Sequence, residues 1–578
     1  MKLTLALATG AAASGNMNGP YTVSSGAGKT GVAFNSDYAS KGHEYFDVYS
    51  PELATQYAEV FWTDMGKQPI PQAIIDRFAN KTMASTRAIT GYEMDMVMVS
   101  PLDAPGQHPE NDVSVPINWA YNHHYEAWMT GKYSELRKIE HPDPADLTFH
   151  GSPKTLELVE ADGARDALGD VPSSQWFSEG NGGESRKSFH GYPDGYAQLI
   201  GSPDAWHIEP MQIDTRNREC GVRPEDVGNC TKFEAWLEPK QARSGPASSG
   251  RSHLKAGSPY SGVLECPCTS RYGGSVEYYG EAAGTKAGGA LCEAGGKNCH
   301  QFNATPRCAG PWNGEPSASG GELLAMGNPT CASSTYAGGL QCCGHKRILL
   351  DADQDPGPDL LRYHMKRRAA FRFWFQEYEP ATATAKASHS DLPRYYYLTE
   401  QNAGEYDIPP AFRAPGDPEI PGMPGWPIST SSADLHLTPG TSCVGDCPGG
   451  PDCECEHTIT SHFSMSNASM IYAGGHCHAP ACISIELYKN DTGTPELLCR
   501  QVSVYGEGDV AADKFDEVGY VALPPCLWGS KDEGLEPPVF LGEDTPMFSI
   551  THTWNTHVGH TGQMASWQMR GVPFAATA

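Results

Sequence analysis

Apolar and polar positions change their pattern several times along the chain. Residues 43–49 and 57–62 are the first dense apolar segments, with Tyr45, Phe46, Val48 and Tyr49 followed by Tyr57, Val60, Phe61 and Trp62. Residues 70–79 carry one patch at helical spacing, which predicts a short helix. Between residues 88 and 99 large apolar side chains alternate, with Tyr92, Met94, Met96 and Met98 interleaved by Glu93 and Asp95; this predicts a half-buried strand. Strands then dominate to about residue 220. From 240 to 345 Gly, Ser and Ala take over and the periodicity disappears. Regular structure resumes with residues 361–366, 370–378 and 395–399, and a last strand-rich block runs from 456 to 572. Residues 16–42, rich in Gly, Ser and Asn, read as a loop or extended lead-in. No repeat recurs at a fixed period. The economical reading is all-β, with two β units and an insertion between or inside them.

Composition agrees with that reading. In 578 residues, 63 Gly and 46 Pro predict many turns and disfavour long helical bundles. Forty-one Lys plus Arg against 69 Asp plus Glu give a net charge of −28, which repels phosphate backbones and anionic lipid, so nucleic acid is excluded as a partner. No segment approaches the run of about 18 apolar residues that a membrane span requires. The first 15 residues have the layout of a short secretory signal, with Lys2 before an apolar core and a small-residue stretch to Gly15. Sequons at Asn80, Asn229, Asn303, Asn467 and Asn490 and an even count of 18 cysteines fit a secreted or extracellular, oxidising location.

Eight of the cysteines, Cys266, Cys268, Cys292, Cys299, Cys308, Cys331, Cys342 and Cys343, lie in the Gly-rich stretch, and Cys443, Cys447, Cys453 and Cys455 cluster before the last block. A segment so poor in apolar residues cannot offset its conformational entropy by burial, so residues 240–345 read as a disulfide-stapled insertion. Zinc is the weaker alternative, because a clean Cys-x2-Cys pair is missing on both sides. Residues 180–183 are Gly-rich but lack a phosphate-loop Lys-Ser/Thr, and Asp351, Asp353 and Asp355 lack the Gly and distal Glu of a calcium loop. Nothing marks a catalytic Ser or Cys.

Three histidine-bearing segments carry the candidate chemistry. In Tyr121-Asn122-His123-His124-Tyr125, adjacent histidines on a strand point to opposite faces, so both reach one metal only where the backbone bends or bulges. In Gly474-Gly475-His476-Cys477-His478, the i, i+2 spacing puts both imidazoles on one strand face, leaving Cys477 to face away as a disulfide partner. The third segment holds His552, His557, His560 and Met564. Imidazole with thioether is soft coordination suited to copper in both oxidation states.

These motifs in order, His476-Cys477-His478, Leu498-Cys499-Arg500, Val504-Tyr505-Gly506-Glu507-Gly508, Cys526 and His560-Thr561-Gly562 ahead of Met564, resemble the stress-up-regulated Nod19 family. Tyr121 to His124, the segment 182–187, Ile213-Asp214-Thr215-Arg216 and the Cys342-Cys343 pair have close equivalents there, so the resemblance spans about residues 43 to 575. More distantly, a His-His pair, a lone His, a His-x-His and a C-terminal Met resemble the copper type II, ascorbate-dependent monooxygenases, the class of the peptidylglycine hydroxylating enzymes. That resemblance implies two jelly-roll β-sandwich domains, at 43–385 with the insertion and at 388–575. It implies two copper ions, one on His123, His124 and a third ligand, the other on His476, His478 and Met564. His207 is the preferred third ligand, with His190 as the other histidine; Met211 is a possible substitute, since plant-type relatives carry a histidine at its position. The implied activity is hydroxylation of a C–H bond by O2, with ascorbate or another reductant, on an unknown small molecule or extracellular polymer. Gly474 stands where the peptidylglycine enzyme has a substrate-binding Arg, so peptidylglycine is not the expected substrate. The competing readings are a non-catalytic copper-binding or stress glycoprotein on the same scaffold, and a scaffold whose Cys-rich insertion serves as an adhesion or wall-binding module.

Overall fold

A computed structural model describes residues 19–26, 31–55, 60–62, 64–79, 86–99, 104–115, 120–139, 156–177, 188–214, 341–342, 348–349, 365–398, 406–408, 438–439, 455–465, 467–477, 482–505, 521–555, 560–563 and 565–574. The Pro-rich run, most of the Cys-rich insertion and the 182–187 motif lie outside them.

The first sandwich is built from strands β1 (Glu44–Tyr49), β2 (Val60–Trp62), β3 (Lys67–Pro69), β4 (Thr86–Met98), β5 (Ala120–Gly131), β6 (Gln175–Trp176), β7 (Tyr196–Gly201), β8 (Pro203–Asp214) and β9 (Met365–Glu377). One sheet runs β7-β4-β9-β1 and the other β6-β5-β8-β2, with β3 also on β8. Alternate residues of each strand meet between them: Tyr92, Met94 and Met96 of β4 and Phe371 and Phe373 of β9 pack on Tyr125, Ala127 and Met129 of β5 and Trp206 and Ile208 of β8. Each such large side chain contributes on the order of 1.5–3 kcal/mol by leaving water. The short helix is present, as Gln72–Ala79.

One expectation is corrected. β4 is not half-buried: every residue from Arg87 to Met98 is buried. Its second face is closed by a cross-strand row in which Arg372 of β9 stands between Glu93 of β4 and Asp47 of β1. Arg372 bonds both Asp47 oxygens at 2.8 and 2.9 Å and lies 4.0 Å from the Tyr45 ring centroid. A polar alternation therefore marked ion-paired burial instead of solvent.

The second sandwich contains β10 (Arg394–Leu398), β11 (Cys455–Met465), β12 (Ala468–Cys477), β13 (Cys482–Lys489), β14 (Glu496–Val502), β15 (Cys526–Leu527), β16 (Thr545–Asn555) and β17 (Ala565–Pro573). Its sheets run β10-β17-β12-β15 and β11-β16-β13-β14. Ala473, Trp567 and Met569 of one sheet pack against Ile485, Leu487 and Met547 of the other, and Trp567 donates its indole N–H to Ser549 Oγ at 2.7 Å across the core. Disulfides join Cys477 to Cys482 and Cys499 to Cys526.

The lead-in is also corrected. Pro20–Val23 and Val32–Asn35 form an antiparallel hairpin, and Val23 and Phe34 enter a third core with Phe189 and Tyr192 of the first sandwich's chain segment, Leu392 between the two sandwiches, and Tyr472 and Leu527 of the second. Val23, Phe34 and Tyr38, with Tyr21 partly buried beside them, suffice in a Gly- and Ser-rich stretch, because both flanking units supply the partner surface. Among the described residues, no helix is long and apolar enough to cross a membrane.

Candidate functional site

The β5–β8 ladder explains how two consecutive histidines can serve one site. Met211 of β8 pairs with His124, and the next residue, Gln212, pairs with Asn122, so His123 is the extra residue of a β-bulge. Behind the bulge the ladder is pinned on its core side, where buried Gln212 donates to Asn122 Oδ1 and Asn122 donates to Met94 Sδ at 3.2 Å. A bend of the kind that adjacent histidines require is thus present at the His-His pair.

The face of this sheet opposite the core reads as rows of register partners. Position 124 stands opposite 211, Glu126 opposite Glu209, and Trp128 opposite His207, which pairs with Lys67 on its other side. His207 is therefore two same-face positions from Met211, roughly 13 Å along the strand. It is 6% exposed, with Nε2 3.2 Å from Thr130 Oγ1, and burial, with Lys67 nearby, pushes its pKa down to about 4. His190 lies in the other sheet, paired with Tyr92 and stacked on its ring at 4.7 Å. Met211, and neither His207 nor His190, is the register partner of His124.

Glu126 and Glu209 were not singled out in the sequence. Directly opposed like charges on one face destabilise a ladder. Burial pushes Glu126 up to about 7, with Arg394 drawing it back, and burial together with Glu126 and Asp64 holds Glu209 well above the usual carboxylate range. The signal that could have found the pair is the period-2 series His124-x-Glu126-x-Trp128 in one strand and His207-x-Glu209-x-Met211 in another.

In the second sandwich His476, 4% exposed, stands across the β12–β17 ladder from Ser566, on the face opposite Ala473 and Trp567. That strand must lie close to its neighbours. A Cβ on Gly475 would stand 2.4 Å from Gln501 Oε1 and 2.6 Å from Ile485 Cγ2, and Gln501 uses its amide to accept from Gly475 N–H at 2.7 Å and donate to Ala473 C=O at 2.9 Å. Cys477 points to the core side into its disulfide with Cys482, as the alternation requires. The described ladder ends at the pair Cys477–Ala565, the residue before His478 and the residue after Met564 in the chain. His478 and Met564 lie outside the described residues, and of the six candidate ligands only His207 and His476 have described side chains.

The two site-bearing faces meet at one seam. Trp128 stacks on Trp176 with centroids 6.0 Å apart, and the Arg394 guanidinium lies 4.2 Å from the Trp176 ring centroid. Arg394 pairs in register with Arg570 of β17. Arg570, 1% exposed, donates to Leu392 C=O and Trp176 C=O, each at 3.0 Å. Tyr472, on the His476 face of β12, donates to Phe189 C=O at 3.1 Å. Compared with known proteins, the chain matches no family model and no curated protein sequence.

Proposed function

We propose that the chain is a secreted, copper-dependent monooxygenase-like protein that hydroxylates a C–H bond with O2 and a reductant such as ascorbate. The observation that carries this reading is the bulge at His123, which meets the condition under which two adjacent strand histidines serve one metal. Two β-sandwiches whose candidate faces share a seam also fit the copper type II architecture, as does the Cys477–Ala565 pair, which brings the chain positions before His478 and after Met564 opposite one another. His123, His124 and Met211 would hold one copper, and His476, His478 and Met564 the other. Bound copper would supply one-electron redox chemistry toward O2. The protein's part is to hold the donors: the pinned bulge at one site, and the Gln501 clamp with the Cys477–Cys482 bridge at the other. The signal-like first residues, the sequons and the disulfides support export.

The test is reconstitution. Secreted, demetallated protein should take up about two copper ions with distinct spectra, and His478→Ala should lose one of them. Retention of both would overturn the assignment. One observation favours the non-catalytic reading: the register partner of His124 is a methionine and not a histidine. Ascorbate-dependent O2 uptake that disappears in Met564→Ala would support the enzyme; intact copper binding without turnover would support a binding protein.

A further inference from the structure

The second sandwich carries a groove of about 680 Å3 that the proposed chemistry does not use. It lies between β14, the outermost strand of its sheet among the described residues, and the strand Val539–Leu541, which among the same residues pairs only with β12. Buried Trp528 borders it, and Pro537, Pro538 and Phe540 line it. Phe540 is 61% exposed, the most exposed of the large apolar side chains described, and it is braced by stacking on Phe574 with centroids 4.5 Å apart. A braced aromatic ring in water is the feature of a contact surface, because it offers apolar area with little rotamer entropy left to lose.

The lining carries four carboxylates, Asp491, Glu496, Glu536 and Glu543, against one ammonium, Lys489. That lysine is already engaged, with Nζ 3.2 Å from Asp491 and 3.7 Å from Glu496. The groove therefore keeps a negative excess around an apolar wall. A second copy of a chain with a net charge of −28 is repelled from such a surface, whereas a cationic segment is attracted and oriented by it. The two bordering sheet edges suit an extended backbone.

We infer that this groove is a docking site for an extended, Lys- or Arg-bearing segment of a partner protein whose apolar side chains pack on Phe540 and the prolines. The inference is independent of the copper reading. The test uses the full chain and a fluorescein-labelled peptide repeating Lys-Leu-Pro, with a Glu-Leu-Pro counterpart, followed by fluorescence anisotropy at low and high salt. The basic peptide should bind, more weakly at high salt, and the acidic one should not. Phe540→Ala and the double variant Glu496→Gln/Glu543→Gln should each weaken binding by about fivefold or more, while Glu135→Gln/Glu157→Gln, exposed carboxylates on a different hairpin, should leave it unchanged. Phe540→Leu, with an unchanged melting temperature, guards against a folding defect. Equal weakening by the Glu135/Glu157 control would reduce the effect to diffuse attraction and overturn the proposal. So would insensitivity to Phe540, or concentration-dependent self-association through the groove in place of peptide binding.

Discussion

Met211 faces His124 across the β5–β8 ladder at the point where His123 bulges out of register. If the first metal site is assembled there, Met211→His should strengthen copper binding to that site by roughly tenfold or more, and His207→Ala should leave it unchanged. Equilibrium dialysis with copper competition reads both. Loss of one copper in His207→Ala would restore His207 as the ligand.

The Glu126–Glu209 pair should make the metal-free protein less stable as pH rises. Glu126 has a folded pKa of about 7 against an unfolded value of 4.5. Below 4.5 both states are protonated; between 4.5 and 7 the folded state keeps a proton that the unfolded state has released, so stability falls through that window. Glu126→Gln should therefore raise the melting temperature at pH 8 by a few degrees, on the order of 1–2 kcal/mol. The gain should vanish near pH 4.5, and a gain that is flat with pH would refute this account.

Arg570 joins the second sandwich to Trp176 C=O of the first and to Leu392 C=O, and its loss removes two charge-assisted bonds at the seam, although Trp176 C=O keeps its bond from Gln198 Nε2. Arg570→Met should cost about 3 kcal/mol or more. Because the damage lies between the units, calorimetry should resolve two melting transitions where the wild type has more nearly one. A single transition, merely shifted down, would place the role of Arg570 inside the second sandwich.

The two disulfides should separate stability from site geometry. Cys499 and Cys526 are 27 residues apart and Cys477 and Cys482 only 5, so removing the first pair as serines should cost about 3.5 kcal/mol and the second about 2. The shorter bridge nonetheless fixes Cys477, which lies between His476 and His478 in the chain. Its removal should lower copper affinity at that site more than removal of the longer one, as measured by competition with a chelator.

Much of the architecture was legible because period-2 patterning reports directly on sheet faces. The strands around Tyr92 and Phe371, the helix at Gln72–Ala79 and the core-facing Cys477 all follow from it. What stayed hidden depends on register between segments far apart in the chain. Sequence spacing cannot show that Met211 instead of His207 comes opposite His124, or that Glu126 meets Glu209. Nor can it show that Arg372 comes to stand between Asp47 and Glu93, the latter on a strand that looked half-exposed. The lead-in hairpin was missed for a related reason: its apolar residues are too few to fold alone and are read correctly only beside their partners.

The position of β9 has a consequence for synthesis. It is an interior strand, lying between β4 and β1, yet it is made roughly 270 residues after β4 ends. The chain leaves the ribosome N-terminus first, so the edge of β4 that β9 will cover stays open while the intervening residues, with eight cysteines between 240 and 345, are made. The first half cannot close as an independent folding unit behind the ribosome. Its completion waits on the synthesis of the most cysteine-rich stretch of the molecule, and until β9 arrives the open edge of β4 is a pairing hazard.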